Sequence, residues 1–263
     1  MSAINEVSEI LDLLYKHGWD ERNGGNLSYI LTEEEVRSVC DPLYIKKEFS
    51  YDFDMSELVG KYFVISGTGT YFKNMIKASE DNLGILKVLD KHTLGLVWGY
   101  ASGGRPTSEA PTHLRCHLER LKQDSEHRLV IHCHPTNIIA MTHICPLDSN
   151  FFTEKLWKMQ TESIVVFPEG IGVLPWILCG GNEIGIETSK LMKEYRSVIW
   201  AQHGIFCTGK SLDEVFGLIE TIEKAADVYM KICDKKVLQS ISNDNLKEIA
   251  RAFNITYRTG IID

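Results

Sequence analysis

Apolar residues recur every three or four positions at Ile4, Val7, Ile10, Leu11 and Leu14, and the repeat stops at Gly18. That period puts the apolar side chains on one face and predicts an amphipathic helix from about residue 3 to 17. A Gly-rich turn, WDERNGGNLSYIL, then leads into an apolar strand. From about 31 to 60 the chain is acidic, aromatic and poorly periodic, which predicts an insertion or long loop. KYFVISGTGTYFKN reads as a strand running into a second Gly-rich turn, SEDNLGILKVLD as a short helix and TLGLVWGYAS as a strand. In RPTSEAPTHLRCHLERLK, Thr107 and Ser108 are capping candidates and Pro111 falls in the first turn of a helix.

The alternation continues to the end of the chain. HRLVIHC is a strand, PTNIIAMTH begins a helix, ESIVVFP is a strand, GGNEIGIETSKLMKEY a helix and SVIWAQHGIFCTG a strand or hairpin. Ser211 with Glu214 forms a capping box for the long helix SLDEVFGLIETIEKAADVYMKI, and NDNLKEIARAFN makes a shorter one. Strands interleaved with helices predict an α/β protein, a three-layer α/β/α arrangement in one domain spanning residues 1–263, without repeats or low-complexity linkers.

Charge narrows the function. A net charge of −8 with no Lys/Arg run argues against nucleic acid as partner and favours a small-molecule substrate. Glu6 and Glu9 interrupt the N-terminal apolar residues, and no run of ~18 apolar residues exists, so neither a leader nor a membrane span is expected and the protein is placed in the cytoplasm. Seven cysteines, odd in number and lacking a CxxC pair, read as reduced, buried small hydrophobes.

The chemistry concentrates at LVIHCHPTN. Residues i and i+2 of a strand point to the same face, so His132 and His134 project together while Cys133 faces the other layer. A catalytic zinc commonly takes three protein ligands and keeps one position open. Among the remaining histidines, His203 is the best third ligand, because it ends the apolar run SVIWAQ and precedes Gly204. Taken alone, His-x-His reads rather as a core or hydrogen-bonded surface pair, since such pairs are frequent and unspecific. His113 and His117 offer a rival pair, four apart on one helix face, the spacing of HExxH metalloproteases. Leu114 stands where those enzymes carry their glutamate, so the pair reads as helix packing or interface, and His17, His92, His127 and His143 as loop or surface residues.

HCH, a distant His-Gly, NGGN, SGTG and PTSE together make the chain similar to the class II aldolase/adducin family of zinc sugar-phosphate enzymes over essentially its full length. GWDERNGGNLS, SEAPTHL, TESIVVFPEGIGVLPW and DEVFGLIETIEKAA carry the resemblance. It implies a central, mainly antiparallel or mixed sheet, one Zn²⁺ per subunit on His132, His134 and His203, and Glu109 as a displaceable fourth partner. Gly-rich turns also form anion-binding concavities, with Asn23, Asn26, Ser66, Gly67, Thr107 and Ser108 as neutral donors. The resemblance makes these the phosphate site.

The activity so implied is reversible cleavage of L-rhamnulose 1-phosphate to dihydroxyacetone phosphate and L-lactaldehyde. Glu109 would move the proton on the phosphorylated half and Glu162 the proton at the aldehyde oxygen. Active sites at the subunit interfaces of a homotetramer are implied as well. Taken without the resemblance, Glu109 is a helix-start acid and Glu162 a solvated residue. A fuculose-1-phosphate aldolase or a ribulose-phosphate 4-epimerase would share the zinc and phosphate sites. A non-catalytic scaffold would be expected to lose zinc histidines, and all three are present.

Overall fold

The structure, a computed structural model, describes residues 2–262. Its centre is a nine-stranded sheet in the order β2-β5-β4-β3-β1-β6-β9-β8-β7, built from β1 (Asn26–Leu31), β2 (Lys47–Ser50), β3 (Tyr62–Ser66), β4 (Leu83–Val88), β5 (Thr93–Gly99), β6 (Leu129–Cys133), β7 (Gly172–Leu174), β8 (Ser197–Trp200) and β9 (Gly204–Gly209). Among the described residues only the β7–β8 pair is parallel. The mixed, mainly antiparallel sheet is as the resemblance implies.

Alternation along β6 shows how the layers form. Leu129, Ile131 and Cys133 join the core beneath α1 (Ala3–Lys16), α5 (Thr136–Ile144), α6 (Ser149–Trp157) and the long α9 (Leu212–Ile232). Val130 faces the opposite side, with Cys116 of α4 (Ala110–Gln123) and Ile184 of α8 (Asn182–Leu191). Both faces of the strand are therefore buried, so its sequence is a continuous apolar run that admits His132 on the α4 side.

Several elements differ from the pattern. SEDNLGILKVLD is not a helix: one helical turn, α3 (Ser79–Asn82), is followed by β4, paired on both edges. Both faces of β4 are buried, Leu83 and Ile85 in one layer and Leu86 and Val88 in the other, so its apolar spacing imitates a helix, while the bulge beside it falls on β5 at Val97. ESIVVFP contains no strand but the short α7 (Glu162–Val166), because it packs among α6, α9 and the last helix, α10 (Asn243–Ala252), with no strand beside it. The 31–60 stretch is not one loop: Thr32 and Glu35 close a capping box on α2 (Glu33–Arg37), and β2 makes the sheet edge on β5. The helices α2 and α6 and the strands β2 and β7 carried no clear periodic signal.

Capping differs in detail too. Ser211 Oγ accepts from Glu214 N, but the Glu214 carboxylate is taken by Arg196 and the Lys210 N–H, leaving half a capping box. Glu109, not Thr107 or Ser108, is the N-cap residue of α4, and Pro111 sits in its first turn. The cysteines also divide: Cys116, Cys133 and Cys207 are buried, whereas Cys179 and Cys233 are exposed.

Candidate active site

β6 ends at Cys133, so His134 lies one residue beyond the strand. Its backbone N–H donates to Trp19 O at 2.9 Å. The β8–β9 hairpin brings His203 opposite. Gln202, at φ +57°, holds that turn by donating from its backbone N to Thr142 Oγ1 at 2.9 Å and from Nε2 to Thr142 O at 2.8 Å. Glycine is required at 204, where a Cβ would lie 2.4 Å from Cys133 O and 2.8 Å from His134 Cδ2. At Gly24 a Cβ would meet the His134 ring at 2.7 Å, so the NGGN turn is glycine-rich partly to admit an imidazole.

The three rings converge through their Nε2 atoms. His132 Nε2 lies 3.3 Å from His203 Nε2 and 3.2 Å from His134 Nε2. His132 Nδ1 faces Ile205 O at 3.0 Å and His134 Nδ1 faces Glu21 Oε1 at 2.7 Å, so both protons sit on Nδ1 and both Nε2 atoms present lone pairs. Burial, then the neighbouring imidazoles, hold His132 well below its ordinary range, and burial brings His203 down to about 4. Neutral imidazoles with facing lone pairs repel unless a cation lies between them. For zinc–nitrogen bonds of about 2.05 Å, a tetrahedron has ligand–ligand edges of roughly 3.3 Å, so the donor set fits such an ion.

Glu109 completes the rim. It is 7% exposed, with Oε2 at 3.8 Å from His132 Nε2 and accepting from Asn26 Nδ2 at 2.8 Å. Burial raises its carboxyl to about 7, against the opposing Asn26 hydrogen bond. Cys179, read from the sequence as buried, instead lies exposed in the loop after β7, where its sulfur groups with Glu109 and His203. No local pattern marks it. Outside the rings a cavity of about 630 Å³ is bounded by Glu21, His134, Trp176, Leu178, Cys179 and His203.

The phosphate candidates fall into two sets. Ser66, Gly67 and Thr107 are brought together, with Thr107 N donating to Ser66 O at 2.9 Å and Gly67 bridging to Pro106. The Ser66 hydroxyl is buried and accepts from Leu27 N at 3.0 Å, and the Asn26 amide is held by Glu109 and His113. Asn23 and Ser108 are exposed. Glu162 is an exposed residue at the start of α7, outside the cavity lining. His127, expected on a loop or the surface, is buried, and His113 and His117 are buried beneath the sheet.

A nine-stranded sheet that gathers three histidines and a buried glutamate at its strand ends is the arrangement of a metal-dependent lyase. The chain belongs to the class II aldolase and adducin N-terminal domain family, which it matches over residues 5–230. It is 47% identical to the rhamnulose-1-phosphate aldolase of Enterococcus faecalis over 262 residues, covering 99% of this chain and 94% of that one. A second rhamnulose-1-phosphate aldolase, from Listeria monocytogenes, is 46% identical and covers 99% and 96%. Among solved structures, a sugar-phosphate aldolase from Thermotoga maritima superposes with a TM-score of 0.74 at 27% identity, covering 88% of this chain and 94% of that one. Among the described residues no helix is long and apolar enough to cross a membrane.

Proposed function

We propose that the protein is a class II aldolase that reversibly cleaves L-rhamnulose 1-phosphate to dihydroxyacetone phosphate and L-lactaldehyde, with zinc on His132, His134 and His203. The observation that carries this reading is the convergence of three Nε2 atoms, with His132 at tetrahedral-edge distance from the other two, in a chain similar over nearly its whole length to rhamnulose-1-phosphate aldolases. A zinc ion held there supplies Lewis acidity toward the carbonyl and adjacent hydroxyl oxygens of the three-carbon half.

The side chains do the rest. In cleavage the hydroxyl at C4 loses its proton, the C3–C4 bond breaks, and the electron pair remains with the phosphorylated fragment. Glu109 delivers the proton that this fragment takes up at C3 and removes it in the reverse direction. Its burial suits the work, since a carboxyl near pH 7 can both hold and release a proton. Glu162 takes the C4 hydroxyl proton. Because it is exposed and outside the cavity of its own chain, it acts on a neighbouring subunit's site in a homotetramer. Asn23 and Ser108 at the surface, with Ser66, Gly67 and Thr107 behind them, form the phosphate site together with Asn26.

Release of dihydroxyacetone phosphate, measured in parallel from the 1-phosphates of rhamnulose and fuculose and from ribulose phosphate, tests the reading. Rhamnulose 1-phosphate should give the highest kcat/KM. Preference for fuculose 1-phosphate, or 4-epimerisation without cleavage, would overturn the assignment.

A further inference from the structure

Behind Glu109 lies a line of buried polar groups that the reaction scheme does not use. Asn26 Oδ1 meets His113 Nε2, and Ser28 Oγ lies 2.8 Å from both His113 Nδ1 and His117 Nε2. His117 Nδ1 in turn lies 2.8 Å from His127 Nε2. The four residues Ser28, His113, His117 and His127 are 0 to 2% exposed. Ser28 comes from β1 and the first two histidines from successive turns of α4, so the i, i+4 pair straddles a single strand hydroxyl. Phe206 packs on the His113 ring and Phe63 on that of His117.

We propose that Ser28, His113, His117 and His127 are positioning residues for the aldol reaction, forming a one-directional hydrogen-bond chain that fixes the Asn26 amide with its N–H on Glu109. The proposal rests on the reading of Glu109 as the proton carrier of the three-carbon half.

Direction follows from each end independently. The amide stands with Nδ2 donating to Glu109 Oε2 and Oδ1 against His113 Nε2, and an amide oxygen only accepts, so His113 Nε2 carries the proton. A neutral imidazole has one donor and one acceptor, and burial keeps these rings neutral, with His113 and His127 brought down to about 3. His113 Nδ1 therefore accepts from the Ser28 hydroxyl, Ser28 Oγ accepts from His117 Nε2, and His117 Nδ1 accepts from His127 Nε2. At the far end His127 Nδ1 is buried and, among the described residues, has no partner. With the chain running toward Glu109 that atom is a bare lone pair, whereas the reverse direction would strand an N–H, the rarer defect.

Without the His113 proton the amide could turn over and set its carbonyl against the carboxylate. With the His113 proton in place the network excludes that state, because the turned amide would set its NH₂ against the His113 N–H and leave both unpaired in a low-dielectric interior. Asn26 thus serves Glu109 in this arrangement, and the rival histidine pair in the sequence becomes part of the site's support.

Neutron diffraction from the deuterated wild-type protein at pH 7 should find the proton of all three rings on Nε2. A proton on Nδ1 of His113 or His117 would overturn the proposal without any variant. Ser28→Ala, nearly isosteric, breaks the chain at its middle. It should lower kcat about 10- to 100-fold, the usual cost of losing an outer partner of a reactive group, with bound metal unchanged. In a Glu109→Gln background, Ser28→Ala should add no further loss, because both act through one group. Wild-type kcat in Ser28→Ala, or losses that multiply in the double variant, would exclude positioning. Wild-type activity in Glu109→Gln would remove the role of Glu109 itself, and a proposal that depends on it would fall while the proton positions stood.

Discussion

Lowering the pH from 7 to 5.5 should remove stability through histidines that hold no metal. His113, His117 and His127 are 0%, 0% and 2% exposed, and burial brings His113 and His127 down to about 3 and His117 well below its ordinary range. Unfolded, each would titrate near about 6.5. The unfolded chain therefore binds more protons than the native one, so this contribution is complete above about pH 6.5 and is lost as the pH falls toward about 3. Integrating the linkage from pH 7 to 5.5 gives roughly 1.2 kcal/mol per histidine, or about 4 kcal/mol for the three. That is a large share of the ~5–15 kcal/mol that holds a typical domain. Glu109, raised to about 7, contributes in the opposite sense, and the metal-site histidines add their own terms. A paired measurement cancels both.

Urea unfolding would be followed by tryptophan fluorescence at fixed protein and zinc concentration, for wild type and His127→Gln. The glutamine keeps an N–H for His117 but no longer titrates, so the variant should lose roughly 1.2 kcal/mol of the wild-type pH dependence between pH 7 and 5.5. Equal pH dependence in the two proteins would refute the claim that His127 is buried and neutral.

Other outcomes follow from the site. His203→Ala should fold yet lose its metal, measured by elemental analysis, whereas His113→Ala should keep it; the opposite result would exchange their roles. Gly204→Ala would force a Cβ to within 2.8 Å of His134 Cδ2, so zinc retention after dialysis should fall, and full retention would show that the turn yields. Asn23→Ala, which removes an exposed donor, should raise KM for phosphorylated substrate without altering zinc content; an unchanged KM would take Asn23 out of the phosphate site. Glu162→Gln should still exchange solvent deuterium into dihydroxyacetone phosphate while cleavage drops by about 10² to 10⁴. Loss of exchange, or wild-type cleavage, would return Glu162 to an ordinary surface role.

Where a segment's own pattern matched its burial, the sequence by itself determined the element. The amphipathic α1, the doubly buried β6 and the capped α9 are such cases, and the three histidines singled out from HCH and a distant His-Gly do converge. Patterns failed where a neighbour set the outcome. LGILKV became a strand because β3 and β5 flank it and both of its faces are buried, and ESIVVFP became a helix for want of a strand beside it.

The three histidines behind Glu109 were invisible for a related reason. His127 reads as a loop residue until β1, α4 and the start of β6 bring it under the sheet, where desolvation decides its charge and its tautomer. Cys179 reads as one more small hydrophobe until the loop after β7 sets its sulfur beside Glu109 and His203. Periodicity reports which face of an element is apolar. Which polar groups share a low-dielectric interior depends on contacts as distant as Ser28 to His117, 89 residues apart, and only the tertiary structure makes them.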